Sequence, residues 1–418
     1  MAIVPTAPER TRNRDSDHPY RFDSYFHYLT GFGEPEAVVV LIGGESPRQI
    51  LFCRDKDEER EIWDGYRLGF EAARAALGFD QTFAIGELDT QMPLLLANQA
   101  ALHFPAGTDP AWDTRVFAWL NQVRAQARTG VSAPTQLIDI RALLDSMRLI
   151  KDEHELTLMR RAAHISADAQ VRAMRATRPG CMEYEIEAEL LHEFRRRGSQ
   201  SPAYTSIVAG GANACVLHYR ENNALLKDGD LLLIDAACEL DGYAADITRT
   251  FPVNGRFSPA QRDIYTLVLD AQHAAIAAVQ PGRGFNDPHE AAVAVLAQGL
   301  IDLGLCHGSL DTVIESASYR QFYMHRTGHW LGMDVHDVGE YRESGRWRAL
   351  SEGMVLTVEP GLYIRPAANV PEAYWNIGVR IEDDVAVCAG GCEILTSGVP
   401  KQPEEIEALM SECRAAAS

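Results

Sequence analysis

Two aspartates stand where a pair of β-strands would meet. Asp235 ends the apolar run Leu231–Asp235, and Asp246 follows eleven residues later in a second run with strand character. Asp241-Gly242 lies between the runs, and Asp-Gly between β-rich segments is typical of a hairpin turn. The hairpin would bring the carboxylates together, where they repel each other unless a proton or a hard divalent cation lies between them. A solvent-exposed rim of acids is the alternative.

Later segments add further candidate ligands. Residues 323–339 contain three histidines among glycines, His325, His329 and His336. Glu359 ends an apolar run before Pro-Gly, and Glu382 lies inside a third strand-like run. Acids at positions where a sheet interior is expected cost free energy unless they are paired or bind metal. Four such acids and one histidine supply five oxygen and nitrogen ligands, enough for two ions that share bridging carboxylates.

The order of these ligands resembles that of the pita-bread metallopeptidases: Asp235, Asp246, His329, Glu359 and Glu382. The surrounding segments HYRENN, DITRTFPVNG, HRTGHWLGMDVHDVG, VLTVEPGLYI and IGVRIEDD are similar to those of the aminopeptidase P family, and the likeness runs from about Pro19 to the C-terminus. The resemblance implies an α/β (α+β) protein. Its smaller amino-terminal domain, residues 1–147, would be creatinase/RNase H-like, and residues 148–418 would form the pita-bread catalytic domain.

The resemblance also implies how the metals are held. Asp246 and Glu382 match the bridging carboxylates, Asp235 completes the shell of one ion, and His329 and Glu359 complete the other. Glu359 also matches the carboxylate that carries a proton from the nucleophile. A set rich in carboxylate and free of cysteine favours Mn²⁺ over Zn²⁺, and the resemblance likewise implies two Mn²⁺ per subunit.

Other residues match positions that act on the substrate. His218 matches a residue near the substrate proline, His325 a further histidine on the substrate side, and His336 a group that stabilises charge near the scissile carbonyl. Arg380 lies two residues before Glu382 and therefore on the same strand face; it would face the site, or else brace a ligand. Tyr363 and Arg148 match members of the surrounding network. The remaining histidines are predicted to lie on the surface without partners: His154, His164, His192, His273, His289 and His307.

Trp63 follows the charged run Arg54–Arg60 and is poorly placed for a core. The family uses the matching tryptophan across a subunit interface, which implies a homo-oligomer, a tetramer or a dimer, whereas local packing is the alternative. Tyr25 departs from the family pattern, because an acid that orders the mouth of the site commonly stands there.

The implied activity is hydrolysis of the first peptide bond of chains whose second residue is proline. A prolidase has the same ligands but takes dipeptides, and a methionine aminopeptidase lacks a comparable amino-terminal domain. Non-catalytic pita-bread binding modules and creatinase-type members lack the metal ligands, so the five residues present here disfavour both.

Composition narrows the class of partner. A formal charge of −20 over 418 residues argues against nucleic acid and anionic membranes. No signal peptide or apolar run of membrane-spanning length is apparent, and eight scattered cysteines are typical of reduced thiols. The sequence therefore predicts a cytoplasmic enzyme acting on peptides.

Periodicity predicts the elements that carry these residues. Strands at 37–42 and 50–53 and helices at 68–77 and 116–123 belong to the first domain. In the second, helices at 156–174 and 186–194 precede Asp235 and Asp246. Capping boxes at Ser258 and Asp287 open two more helices before Glu359 and Glu382. Two blocks of helices and strands are thus expected, with the ligands at their seam.

Overall fold

A computed structural model describes the backbone of residues 1–417 and the side chains of residues 1–412. The chain divides into two compact units, Met1–Asp145 and Ser146–Ser418. None of the described helices combines the length and the apolar character that a membrane crossing requires.

The first unit is built on a mixed six-stranded sheet. The first unit contains eight strands: β1 (Ala2–Pro5), β2 (Thr11–Asn13), β3 (Ser16–Asp17), β4 (Val38–Ile42), β5 (Arg48–Cys53), β6 (Gln81–Ala84), β7 (Ala101–Phe104) and β8 (Gln136–Asp139). Six of them form the sheet, while β2 and β3 form a separate small hairpin. The strand order is β6-β5-β4-β1-β7-β8. The predicted strand pair β4 and β5 is confirmed as antiparallel.

Helices cover both faces of this sheet. They are α1 (Ser24–Thr30), α3 (Phe70–Leu77), α4 (Leu88–Leu96) and α5 (Pro110–Arg124). Helix α2 (Glu58–Asp64) has no buried residue and contributes to neither core, and the sequence of α6 (Arg141–Leu149) crosses the boundary between the units. Alternate residues of β4 enter different cores: Val38 and Val40 pack with α4 and α5, and Val39 packs with Phe26 and Ala73 of α1 and α3. Burial on both faces explains the unbroken apolar run. The predicted end of α3 is confirmed, because Gly78 takes φ +75° there.

Helices and small sheets alternate in the second unit. Its helices are α7 (Glu153–Ala176), α8 (Glu183–Arg196), α9 (Pro259–Ala278), α10 (Asp287–Asp302), α11 (Leu310–Glu315) and α12 (Pro403–Ala417). The capping box predicted at Ser258 is confirmed. The one predicted at Asp287 is wrong, because Asp287 is already inside α10 and Asn286 precedes it without a side-chain cap.

Four of the candidate ligands lie at or close to the ends of strands in this unit, and His329 lies in a loop. They are β9 (Ser201–Pro202), β10 (Ile207–Gly210), β11 (Leu231–Asp235), β12 (Cys238–Leu240), β13 (Tyr243–Ala244), β14 (Thr248–Pro252), β15 (Arg342–Glu343), β16 (Arg346–Trp347), β17 (Val355–Val358), β18 (Gly361–Ile364), β19 (Ile377–Arg380), β20 (Asp383–Cys388) and β21 (Gly391–Ile394). A turn is present at Asp241-Gly242 as predicted, but it joins β12 to β13, and neither strand contains Asp235 or Asp246. The antiparallel pairing of β11 with β14 brings the two aspartates together instead. The third predicted strand is interrupted, since Glu382 lies between β19 and β20. The predicted order of two helix-and-strand blocks is confirmed.

Candidate metal centre and its cavity

Asp235 and Asp246 meet at one tyrosine. Asp235 ends β11, where it lies opposite Thr248, the first residue of β14, and Asp246 stands two residues before that strand. The Tyr204 hydroxyl is 2.6 Å from Asp235 Oδ1 and 2.5 Å from Asp246 Oδ1. The predicted proximity of the two carboxylates is therefore confirmed.

The other three candidate ligands converge on the same place. His329 Nε2 lies 3.5 Å from Asp246 Oδ2 and 3.7 Å from Glu359 Oε1. Single donor atoms of Asp246, His329 and Glu382 all lie within 4.8 Å of one another. All five residues line one cavity of about 1100 Å³. The fold therefore assembles the whole predicted set.

A close backbone approach fixes the ring of His329. The His329 carbonyl accepts from Thr357 N at 2.9 Å, and Glu359 N donates to Thr327 O at 2.7 Å. A side chain at Gly328 would place its Cβ 2.0 Å from the Thr357 carbonyl oxygen, so only glycine fits. His329 Nδ1 faces the Trp330 carbonyl at 2.9 Å, which leaves Nε2 for the acids.

The protonation equilibria indicate a shortage of positive charge. Burial, together with the charges of Asp246 and Glu359, raises the pKa of Glu382 well above its ordinary value. Burial also raises the pKa of Glu359 to about 7. Burial opposes the charged form of His329, but its hydrogen bond with Asp246 and the charge of Glu359 raise its pKa to about 9. Crowded, buried carboxylates with this balance are satisfied by a divalent cation. Carboxylate oxygens and one imidazole nitrogen are suitable donors for such an ion.

Arg380 braces the first ligand and also lines the cavity. Its Nη2 donates to Asp235 Oδ2 at 2.6 Å and its Nε to Thr248 Oγ1 at 3.2 Å. A third bond runs from Nη1 to the Tyr363 hydroxyl at 2.9 Å. Arg380 therefore faces the cavity and also braces a candidate ligand, which were the two alternatives expected from the sequence.

The Tyr363 hydroxyl links Arg380 to His325 through two hydrogen bonds. Tyr363 is 1% exposed and does not line the cavity, so it has no direct access to a substrate there. Because Arg380 donates to its hydroxyl, Tyr363 donates its own proton to His325 Nε2 at 2.8 Å. His325 Nδ1 then donates to the Arg326 carbonyl at 2.7 Å. Burial lowers the pKa of His325 to about 4, which agrees with a neutral ring that faces the cavity.

His218 and His336 present exposed rings to the cavity. The His336 ring centroid is 4.0 Å from that of His329. Burial and the nearby charge of His329 lower the pKa of His336, so its ring is neutral near pH 7. Both histidines are therefore within reach of a substrate bound at the four carboxylates and the His329 imidazole.

Arg148 is a buried residue that contacts the loop carrying His336. It is 1% exposed and is not among the residues that line the cavity, a position that fits the surrounding network expected for it. Its Nη2 donates to Asp337 Oδ1 at 2.6 Å, and Lys151 Nζ donates to the other oxygen at 2.9 Å. Asp337 directly follows His336, so the buried arginine and lysine hold the loop that carries this histidine.

Two histidines expected to lack partners have them. His289 is half-buried, and its Nδ1 lies 2.8 Å from Thr327 Oγ1, which also contacts the Tyr323 hydroxyl at 2.6 Å. Burial lowers the pKa of His289 to about 4. His164 lies 3.5 Å from Asp168 on α7. The prediction failed for His289 because its partner lies 38 residues away in sequence.

Sequence patterns also missed the residues that orient the ligands. Tyr204 has no local motif, yet it joins Asp235 to Asp246. Thr248 Oγ1 donates to Glu382 Oε2 at 2.6 Å, and Thr357 Oγ1 accepts from His329 N at 3.1 Å. Only their positions beside predicted ligands on strands could have indicated these threonines.

Two residues of the first unit were singled out from the sequence. Trp63 lies in α2 with 83% of its surface exposed, next to Ile62 and near Tyr66, which are 81% and 93% exposed. It is not among the residues that line the cavity of the second unit. Tyr25, which replaces an expected acid, donates to Asp145 Oδ1 at 2.6 Å.

Comparison with known proteins identifies the class of enzyme. A family model described as metallopeptidase family M24 matches residues 157–389, and one described as aminopeptidase P, N-terminal domain, matches residues 1–103. The chain belongs to metallopeptidase family M24. The predicted fold class, with an amino-terminal domain of the aminopeptidase P type and a carboxy-terminal pita-bread domain, is thereby confirmed.

Individual relatives narrow the class further. The chain is 47% identical over 415 residues to the Xaa-Pro aminopeptidase of Escherichia coli strain K12. The aligned region covers 99% of this chain and 94% of that protein. The Xaa-Pro aminopeptidase of Haemophilus influenzae is 48% identical over 405 residues, 96% of this chain and 91% of that protein. The structure of aminopeptidase PepP from Pseudomonas aeruginosa superposes with a TM-score of 0.98 at 53% identity, covering 99% of this chain and 94% of the other.

Proposed function

We propose that this protein is an Xaa-Pro aminopeptidase, which hydrolyses the bond between the first residue of a peptide and a proline in second position. One observation carries the proposal. The five residues of the metallopeptidase ligand set converge in a single cavity, in a chain that matches Xaa-Pro aminopeptidases over 99% of its length.

The metal ligands are proposed to be Asp235, Asp246, His329, Glu359 and Glu382, holding two ions, with Mn²⁺ as the preferred metal. Four carboxylates and one imidazole, without cysteine, support a hard divalent ion. A structure of Escherichia coli aminopeptidase P is described as zinc-substituted and in complex with product. Bound divalent ions would polarise the scissile carbonyl and make water nucleophilic at neutral pH.

The other residues act on the proton and on the substrate. Glu359 accepts a proton at a carboxylate oxygen, a role supported by its place in the cavity beside His329. His336 and His218 donate hydrogen bonds to the peptide, His336 to the carbonyl on which negative charge develops. His325, kept neutral and held by Tyr363, contacts the substrate side chain or backbone, while Arg380 keeps Asp235 oriented.

Assembly and location complete the proposal. We propose a homo-oligomer, a tetramer or a dimer, in which Trp63 helps to wall the substrate pocket of a neighbouring subunit. Support comes from the exposed apolar side chains Ile62, Trp63 and Tyr66, since an exposed aromatic cluster is typical of an interface. Among the residues whose side chains are described, the cysteines are free thiols and five of them are buried, which supports the cytoplasm as the compartment. The first domain, residues 1–147, would then serve in oligomerisation and at the mouth of the site.

A prolidase is distinguished by substrate length, and the relatives named above are aminopeptidases. The purified protein with Mn²⁺ is incubated with Arg-Pro-Pro and, separately, with Arg-Pro, and the products are identified by mass. Release of arginine and Pro-Pro from the tripeptide at the higher rate is expected. Cleavage of the dipeptide alone would make the protein a prolidase, and cleavage of neither would overturn the proposal.

A further inference from the structure

One end of the cavity is lined by aromatic rings and arginines. The Phe285 ring lies 4.6 Å from that of Tyr341 and 6.4 Å from that of Trp347, measured between centroids. The Arg342 guanidinium carbon lies 4.2 Å from the Trp347 ring centroid, and that of Arg326 lies 4.9 Å from it. All five residues line the cavity that holds the candidate metal ligands. We call Arg326, Arg342 and Trp347 the arginine–tryptophan cluster.

A tight hairpin and a neighbouring loop build this cluster. Arg342 of β15 lies directly opposite Trp347 of β16, which places both side chains on one face of the hairpin. Ser344 and Gly345 form the turn, with φ of +50° and +79°. The hairpin is fixed to the domain because Phe285 N donates to Arg348 O at 2.9 Å.

Arg326 reaches the same ring from the segment that also carries His325 and His329. It follows His325, and its Nη2 donates to Asn286 Oδ1. Asn286 is held in turn by Glu290, whose Oε1 accepts from Nδ2 at 2.6 Å. The guanidinium is therefore positioned without an ion pair of its own.

Neither arginine of the cluster forms an ion pair with any residue that the structure describes. Outside the five candidate ligands, the carboxylate that lines the described cavity is that of Glu340. Contact with the indole leaves the Arg342 donors available, together with those Arg326 donors that do not bind Asn286. Planar guanidinium groups match the geometry of a carboxylate. An unpaired cationic pair beside an apolar wall is suited to an anionic group carried on an apolar stem.

We propose that the arginine–tryptophan cluster is a subsite for a carboxylate of the peptide substrate, an inference that rests on the proposed aminopeptidase function. The carboxylate has two possible sources, an acidic side chain on the residue before proline or the free carboxyl end of a short peptide. Both present the same planar anion to Arg326 and Arg342. The cluster is a specificity determinant and takes no part in bond cleavage.

Matched peptides test the proposal and separate the two sources. Asp-Pro-Pro amide is compared with Asn-Pro-Pro amide for the side chain, and Ala-Pro-Pro with its amide for the carboxyl end. In one of the two pairs the acidic member should have the higher kcat/KM. Arg326→Gln combined with Arg342→Gln should reduce that preference by about 10-fold, mainly through KM, because exposed ion pairs are individually weak and contribute to binding before the transition state. The preference of the unaltered protein should also decline as salt is raised.

Arg346→Gln is the control, because Arg346 is an exposed arginine of the same hairpin that does not line the cavity. It should leave the preference unchanged. Equal kcat/KM within both pairs, or a preference that survives the double substitution, would overturn the subsite. Ala-Pro-Pro amide, which carries no carboxylate, reports the aminopeptidase function separately: a protein that cleaves none of the four peptides fails the proposed function rather than the subsite.

Discussion

Neighbouring side chains in the cavity differ in what they can do, although several are histidines or acids. His329 is held by backbone on one ring nitrogen and turns the other toward Asp246 and Glu359. His336, whose ring centroid is only 4.0 Å away, is exposed to the cavity and forms no ion pair with any residue that the structure describes. Metal binding and action on the substrate can therefore be separated by substitution of single residues.

Asp246 is expected to be essential for metal binding. A bridging carboxylate serves both ions, so Asp246→Ala should lose most of the two divalent ions that we expect per chain. Metal content is measured on the purified variant after gel filtration. Asp241→Asn is the matched control, because it changes an exposed acid of the nearby hairpin whose φ of +50° asparagine accepts. Unaltered stoichiometry in Asp246→Ala would remove this residue from the centre.

His336 is expected to act after metal binding. His336→Ala should retain both ions but reduce kcat by on the order of 10²-fold, as for the loss of one donor to a developing negative charge. Rate and metal content are measured on the same sample. His307→Ala changes an exposed histidine away from the cavity and should alter neither quantity. A metal-free His336→Ala protein would show that His336 is a ligand and that His329 was assigned wrongly.

At the scale of elements, buried charges join the strands that end at the metal centre. Asp383, the first residue of β20, receives Arg249 Nη2 at 2.7 Å from β14 and Lys401 Nζ at 2.7 Å. Glu382 precedes Asp383, so the pair between β14 and β20 determines where this ligand points. Burial opposes the charged carboxylate, yet Arg249 and Lys401 hold the pKa of Asp383 below its ordinary value. Its stabilising effect is therefore present above the unfolded-state pKa of ~3.9 and is lost as the pH falls below it.

Loss of this carboxylate should destabilise the second domain. Asp383→Asn leaves the Arg249 guanidinium buried without its counter-charge, and we expect the free energy of unfolding to fall by about 3–5 kcal/mol. Urea denaturation at pH 7 measures the change. Glu393→Gln removes the partner of Arg160 on the surface, where 42% of the Glu393 side chain is exposed, and should cost no more than about 1 kcal/mol. Equal losses for the two variants would contradict a special role for the buried pair.

At the scale of the whole molecule, the two units present different surfaces. The second encloses the cavity and its candidate ligands, whereas the first exposes Ile62 and Trp63 of α2 and Tyr66 just after that helix. An apolar group of this kind on a chain of formal charge −20 is an exception that association would explain.

Trp63 provides the test of assembly. The protein should sediment as an oligomer, and Trp63→Ala should slow cleavage of longer peptides more than that of short ones while both ions remain bound. Leu94→Ala, which truncates another exposed apolar side chain of the first unit, should change neither property. A monomer that cleaves Arg-Pro-Pro at full rate would contradict the role proposed for Trp63 at a neighbouring site.

The sequence by itself determined the set of candidate ligands and the elements that present them. Asp235 and Glu359 stand where apolar strands end. The dipeptide Asp241-Gly242 alone is enough to predict the hairpin turn found there. The helix that begins after Ser258 was predictable because its capping box lies within four residues. These features depend on local propensity and on periodic burial, which a single chain displays directly.

The tertiary structure alone decided how the ligands are held and what surrounds them. Tyr204 meets Asp235 across 31 residues, and Arg148 meets Asp337 across 189. His289 has no evident partner in the sequence, but in the folded domain its Nδ1 contacts Thr327 Oγ1. Such contacts depend on which helices and strands pack against each other in the folded domain, and the spacing of residues along the sequence does not indicate this packing. The arginine–tryptophan cluster has the same origin, because Arg326 and Trp347 come from a loop and a hairpin that meet only in the folded domain.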